Sequence, residues 1–288
     1  MAVFDWELPY PSQREGVLGN NVVATSQPLA AQAGLAMLRD GGNAVDAAVA
    51  AAAALTVVEP TSNGIGGDAF AIVWAEGRLH GLNASGRAPM ALRPEHFAGE
   101  HAIPETGWSG VTVPGAVSAW AALAEPFGVL PFEQLMQPAI EYAREGFLVS
   151  RQTAEAWREA EEVYRGFDSW HRTFCPDGRA PEAGERFRSE DHAATLEAIA
   201  ASRGEAFYRG ALADRIAAHA AETGGMITVD DLAAHRPDWV TPLSVPYRGH
   251  ELHEIPPSGQ GLAALIALGI LSHFDMTEHD PDSVAGLH

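Results

Sequence analysis

The sequence predicts a layered α/β protein. Two observations point there: β-branched and aromatic runs lie towards both ends, and capped, often alanine-rich helical segments fill the stretch between them. No internal repeat or low-complexity linker interrupts the 288 residues, of which 47% are hydrophobic, so the chain reads as a single domain over residues 1–288 with a sizeable core.

After a proline-containing start (Pro9, Pro11), residues 21–25 read as a short strand. Ser26 is the expected cap of a helix with Pro28 in its first turn, stopped by Gly41 and Gly42. Asn43 caps the next helix, residues 44–58, with Asp46 placed for a capping box and Pro60 beyond its end. Residues 69–74 are β-branched and aromatic, and Glu76-Gly77 turns them into residues 78–82, which predicts a hairpin. Residues 111–113 are a further strand candidate, and helices follow at 116–125, 131–145, 151–164, 190–202 and 211–222. Gly224-Gly225 ends the last of these, and Thr228 opens a short capped helix. Strands at 243–247 and 250–255 join through Arg248-Gly249, and an apolar helix covers 262 to about 274. Asp282-Ser283 reads as a helix start with few residues after it, whereas isolated helices need about 12–15 residues to be marginal. A fraying end or an element continued in a longer polypeptide is expected.

The net charge is −20, and all 18 basic residues are arginine. An anionic surface repels phosphates, so nucleic acid is not an expected partner. No apolar run approaches the roughly 20 charge-free residues of a membrane span, and the acidic start Met1–Glu7 is unlike a secretory signal. A cytoplasmic protein without a membrane partner is expected. Cys175 is the single cysteine, so no intrachain disulfide exists, and its place beside Pro176 reads as inert.

Gly64-Ile65-Gly66-Gly67-Asp68-Ala69 satisfies the G-x-G-x-x-G/A dinucleotide fingerprint. That fingerprint requires a strand before the glycines and a helix after them, whose N-terminal amides hold the pyrophosphate. Here the predicted order is helix, glycine loop, strand, so the glycines read as a tight connection between closely approaching backbones. His250 and His253, three apart on a predicted strand, point to opposite faces and are poorly placed to chelate. Ser258 reads as a turn residue rather than a nucleophile. No metal and no cofactor is expected. Arg87, in Ala84-Ser85-Gly86-Arg87-Ala88-Pro89, follows the hairpin in a loop, and its guanidinium fork suits a substrate carboxylate; by residue type alone a structural ion pair is the simpler reading.

Several segments together resemble the γ-glutamyltranspeptidase family of N-terminal-nucleophile hydrolases: residues 23–30, 41–48 and 58–70, Val113-Pro114-Gly115, Phe127-Gly128, Pro138-Ala139 and Gly146-Phe147. So do Phe207-Tyr208-Arg209-Gly210, Gly224-Gly225, Asp230-Asp231-Leu232, Tyr247-Arg248-Gly249 and Pro256-Pro257-Ser258. The blocks run in order over nearly the whole chain from about residue 20. The resemblance implies a four-layer αββα sandwich, incomplete in this chain, made as one precursor that cuts itself into large and small subunits. The freed threonine of the small subunit would be the nucleophile, with its own α-amino group as base, attacking a γ-glutamyl or other small acidic amide to give an acyl-enzyme resolved by water or an amine acceptor.

That threonine lies in a Thr-Thr-His-like sequence, and no Thr-Thr pair occurs here. The resemblance therefore implies that the chain is the large-subunit portion, carries no catalytic residue and is inactive alone. A catalytically silent binding or scaffold protein of the same fold is the alternative. Typical transpeptidases hold the glutamyl α-carboxylate with the arginine of an Arg-Glu-x-Ala-Pro pattern. Here Ser85 stands four residues before Pro89 and Arg87 two before it. The Ser-Gly-Arg-Ala-Pro form looks like amidohydrolases of small acidic amides such as oxamate, and points away from glutathione. Arg87 and Ser85 are the implied substrate-binding residues, and the small-subunit segment the implied partner.

Overall fold

The structure is a computed structural model and describes residues 17–99, 101–280 and 282–288; Pro9, Pro11 and the acidic start lie outside them. Two helices open the described chain, α1 (Pro28–Arg39) and α2 (Ala44–Val58). Gln27, not Ser26, caps α1: its side-chain oxygen accepts from the amides of Leu29 and Ala30, while the Ser26 hydroxyl donates to Glu59 at 2.6 Å. The capping box of α2 forms as expected. Asp46, fully buried, accepts from the Asn43 amide at 2.8 Å and also from the Val129 amide at 3.2 Å, so it fastens the start of α2 to a turn far along the chain. Alanines on nearly every side let α2 pass through the centre of the core, against α1 and the helices described below.

The hairpin is β1 (Phe70–Ala75) and β2 (Arg78–Asn83), turned by Glu76 and Gly77, both at positive φ (52° and 78°) as such two-residue turns demand. Then come α3 (Ala116–Phe127), α4 (Phe132–Glu145), β3 (Phe147–Leu148), α5 (Arg151–Val163), α6 (Asp168–Phe174), β4 (Arg186–Phe187), α7 (Glu190–Ser202), α8 (Glu205–Arg209), α9 (Ala211–Thr223) and α10 (Val229–Ala234). β5 (Asp238–Val240) pairs antiparallel with β2, giving a three-stranded sheet ordered β1-β2-β5, and β6 (Leu243–Tyr247) and β7 (His250–Glu254) form a separate hairpin. The chain closes with α11 (Gly261–Leu271) and the single turn α12 (Val284–Leu287), capped by Ser283.

Residues 21–25 and 111–113 form no strand among the described residues. Their β-branched side chains serve packing instead: Val23 lies against Gly34 of α1, and Val113 is buried and makes one backbone bond to a loop rather than a ladder.

Two apolar surfaces remain open to solvent. On β1, Phe70, Ile72 and Trp74 face outwards, Trp74 with 69% exposure. In α11, apolar on all sides, only Leu265 is buried, while Ile266 and Ile270 are more than half exposed. Helices of that composition ordinarily sit inside a protein. Among the described residues, no helix is long and apolar enough to cross a membrane.

Candidate functional site

The glycine loop lies between α2 and β1, so a helix precedes it and a strand follows it. This excludes a dinucleotide site there, because no helix N-terminus is offered to a phosphate. The close-approach reading holds only in part. A Cβ on Gly67 would lie 3.2 Å from the Gly64 carbonyl oxygen, whereas one on Gly66 would meet nothing within 4 Å. Gly67 acts through its carbonyl oxygen, which accepts from the amides of Gly115 and Ala116, both at 2.9 Å. Those amides begin α3 and would otherwise be orphaned.

The Ser85–Arg87 loop leaves the end of β2 and is clamped at each step. The Asn83 side chain accepts from the Ser85 amide at 2.9 Å, and the Arg87 carbonyl accepts from the Val113 amide at 3.0 Å. Gly86 and Gly115 permit backbones to touch: a Cβ on Gly86 would fall 1.5 Å from the Val113 carbonyl oxygen, and one on Gly115 1.6 Å from that of Ala84. Beyond Arg87, the Met90 amide donates to Asp231 at 2.8 Å, while the same carboxylate completes the Thr228 capping box of α10.

The structure places Arg87 and Ser85 together on this clamped loop. The Arg87 side chain is exposed and makes no hydrogen bond or ion pair among the described residues, so the structural ion pair is not found there. The Ser85 hydroxyl likewise has no hydrogen-bond partner among them, its recorded bond being through the amide. A guanidinium held on a fixed backbone without a carboxylate is available to an anionic ligand.

Behind the loop, Tyr208, His235 and Ser118 form a buried polar network. The Tyr208 hydroxyl donates to the Pro114 carbonyl at 2.8 Å and accepts from the Ser118 amide at 3.0 Å, and its ring stacks on His235 at 5.2 Å. Ser118 Oγ lies 2.9 Å from His235 Nε2 and 2.7 Å from the Gly115 carbonyl oxygen. Burial pushes the His235 imidazole below its usual range; the nearby charges of Asp238 and Asp68 oppose this, and those of Arg209 and Arg87 reinforce it. Arg87 and Asp68 thus act on one histidine from the loop side. This hydroxyl–imidazole pair borders a cavity of about 420 Å³, but the amides of Gly115, Ala116 and Ser118 at the start of α3 are already taken by Gly67 and Tyr208. With Ser118 and Tyr208 committed to the start of α3 in this way, the pair fits a structural role.

The sequence does not reveal the roles of Gly86, Gly115, Tyr208 and His235 or the second bond of Asp231, because each acts through a partner distant in sequence. Ser258 lies in an exposed turn after β7. Among the described residues, no metal-ligating cluster falls at this site.

The family profile described as Gamma-glutamyltranspeptidase matches residues 30–288. The chain belongs to the γ-glutamyltranspeptidase family. Cephalosporin acylase from Bacillus halodurans superposes with a TM-score of 0.89 at 50% identity, over 100% of this chain and 55% of that one. Gamma-glutamyltranspeptidase from Helicobacter pylori gives a TM-score of 0.89 at 30% identity, over 96% and 81%. The fold is therefore that of the N-terminal-nucleophile hydrolases, mixed helix and sheet. The "Oxamate amidohydrolase proenzyme" of Klebsiella pneumoniae is 39% identical over 259 residues, covering 88% of this chain and 49% of its own length. The "Glutathione hydrolase-like YwrD proenzyme" of Bacillus subtilis is 37% identical over 278 residues, covering 95% and 53%. This γ-glutamyltranspeptidase-family chain thus spans about half the length of these curated relatives.

Proposed function

We propose that residues 1–288 form one domain, the large-subunit portion of a self-cleaving precursor that hydrolyses a small amide carrying a carboxylate. The observation that carries the reading is Arg87: a family member presents an unpaired guanidinium on a loop fixed at Asn83, Val113 and Asp231. Its fork takes the substrate carboxylate through paired hydrogen bonds, and the Ser85 hydroxyl donates a further one. Holding the loop rigid fixes the distance from carboxylate to scissile amide.

The nucleophile in this reading is a threonine of the small-subunit segment. Its hydroxyl attacks the amide carbon while its α-amino group takes the proton. The amine leaves with a proton, and water releases the acyl group. The outward faces of β1 and α11 seat that segment, burying Trp74, Ile266 and Ile270. Being named proenzymes, the two curated relatives support processing, and the oxamate amidohydrolase supports an acidic amide.

The test is to produce the chain joined to the continuation of its reading frame. Two fragments on a denaturing gel and hydrolysis of oxamate or a γ-glutamyl anilide are expected. An uncleaved product that hydrolyses neither contradicts the reading and favours a silent scaffold.

A further inference from the structure

Outside the candidate site, Glu161, His171 and Cys175 bring a carboxylate, an imidazole and a thiol within 4.8 Å of one another. The arrangement follows from local structure. His171 lies in α6, and Cys175 is the C-cap residue of that helix, with its amide bonded to the His171 carbonyl at 2.8 Å. Four-residue spacing puts both side chains on one face of the helix. Glu161 reaches them from the last turn of α5. The two helices are held together by Trp157, whose indole N–H donates to the Phe174 carbonyl at 3.0 Å and whose ring packs edge-on against Phe174.

Two features of the cluster call for a ligand. His171 Nε2 is shielded from water and has no hydrogen-bond partner, an arrangement that ordinarily costs free energy. Cys175 is buried, with its sulfur and a Glu161 carboxylate oxygen within 4.8 Å of each other. One oxygen of that carboxylate is oriented by the Ala180 amide at 2.9 Å, leaving the other free.

We propose that Glu161, His171 and Cys175 bind a zinc-class divalent cation that staples α5 to α6. Sulfur, nitrogen and oxygen donors together suit zinc, with water as fourth ligand at the partly exposed side. Tetrahedral zinc with bonds of about 2.0–2.3 Å holds its donors roughly 3.5 Å apart, so side-chain shifts of about 1 Å close the site. On binding, the Cys175 S–H bond breaks, a metal–sulfur bond forms, and the proton passes to buffer. This pairing is hidden in the sequence because Glu161 belongs to a separate helix, which is why the lone cysteine reads there as inert.

The test is titration of the full, metal-stripped chain with cobalt(II) chloride and, separately, zinc chloride. One cobalt per chain with a thiolate-to-metal charge-transfer band is expected, along with zinc binding that releases a proton and raises the melting temperature. Cys175→Ser removes the band. Glu161→Gln keeps an acceptor for Ala180, so the fold is preserved, and weakens binding by at least the roughly 10- to 100-fold lost when an outer partner is removed. Absence of binding by the folded wild-type chain, or an unchanged band in Cys175→Ser, overturns the proposal.

Discussion

Gly86 is pressed against the Val113 carbonyl so closely that a single methyl group would land 1.5 Å from its oxygen. The neighbour is backbone, not a flexible side-chain tip, so it cannot step aside. Gly86→Ala is expected to displace the Arg87 loop, lowering stability by about 1–3 kcal/mol and kcat/KM of the processed enzyme about 100-fold. Thermal melts and kinetics on the same preparation check both. Wild-type values for both would show that the contact does not set the loop.

Asp46 collects amides from two distant parts of the chain in a fully buried position. Asp46→Ala leaves the Asn43 and Val129 amides without their acceptor and removes the capping box of α2. A loss of at least about 2–3 kcal/mol is expected in denaturant unfolding. A loss below about 0.5 kcal/mol, the range of ordinary surface changes, would contradict this.

Tyr208 joins the start of α3 to His235. Burial raises its phenol to about 12, so the folded state favours the neutral form. Its contribution is fully present below the ordinary tyrosine range near pH 10 and is lost as pH rises towards about 12. Tyr208→Phe removes the hydroxyl serving Ser118 and Pro114. It is expected to cost about 1–3 kcal/mol at neutral pH and to flatten the alkaline limb. Urea unfolding at stepped pH measures both.

His192 supplies an acid limb. Burial depresses its imidazole to about 4, where it faces the Thr56 hydroxyl at 3.5 Å. The neutral ring contributes stability above the ordinary histidine value of 6.5, and that stability is lost as pH falls from there to about 4. A decline on the order of 1–3 kcal/mol across this window is expected. His192→Gln should remove most of it, and an identical decline in the variant would reassign the effect to other groups.

Local signals made much of the fold legible. Asn43 and Thr228 cap their helices as the sequence predicts, and Glu190–Ser202 forms where expected. The short helices Asp168–Phe174 and Glu205–Arg209 were not legible, since one or two turns draw their stability from packing rather than from caps or period. Asp238–Val240 is a strand because it meets β2, not because of its own composition. Ser26 misled because two polar residues stand in sequence before Pro28, and the longer side chain of Gln27 folds back to its own helix.

The candidate site divides in the same way. Arg87 stood out by residue type and loop position, but its freedom from a carboxylate could be learned only from the fold. Gly86 and Gly115 stand in motifs the sequence shows, but the reason each must be glycine is visible only in the facing carbonyls of Val113 and Ala84.

The measurement that tests the account most directly is Arg87→Ala in the processed enzyme, assayed on an acidic amide and on its uncharged analogue. The Arg87 side chain makes no hydrogen bond or ion pair among the described residues, and its backbone bond to Val113 survives the substitution, so the melting temperature should stay unchanged. Against the acidic amide kcat/KM should fall about 10- to 100-fold, as for loss of a charged hydrogen bond, with little change against the analogue. Equal activity of variant and wild type on the acidic amide, or an equal loss on both substrates, would contradict the assignment.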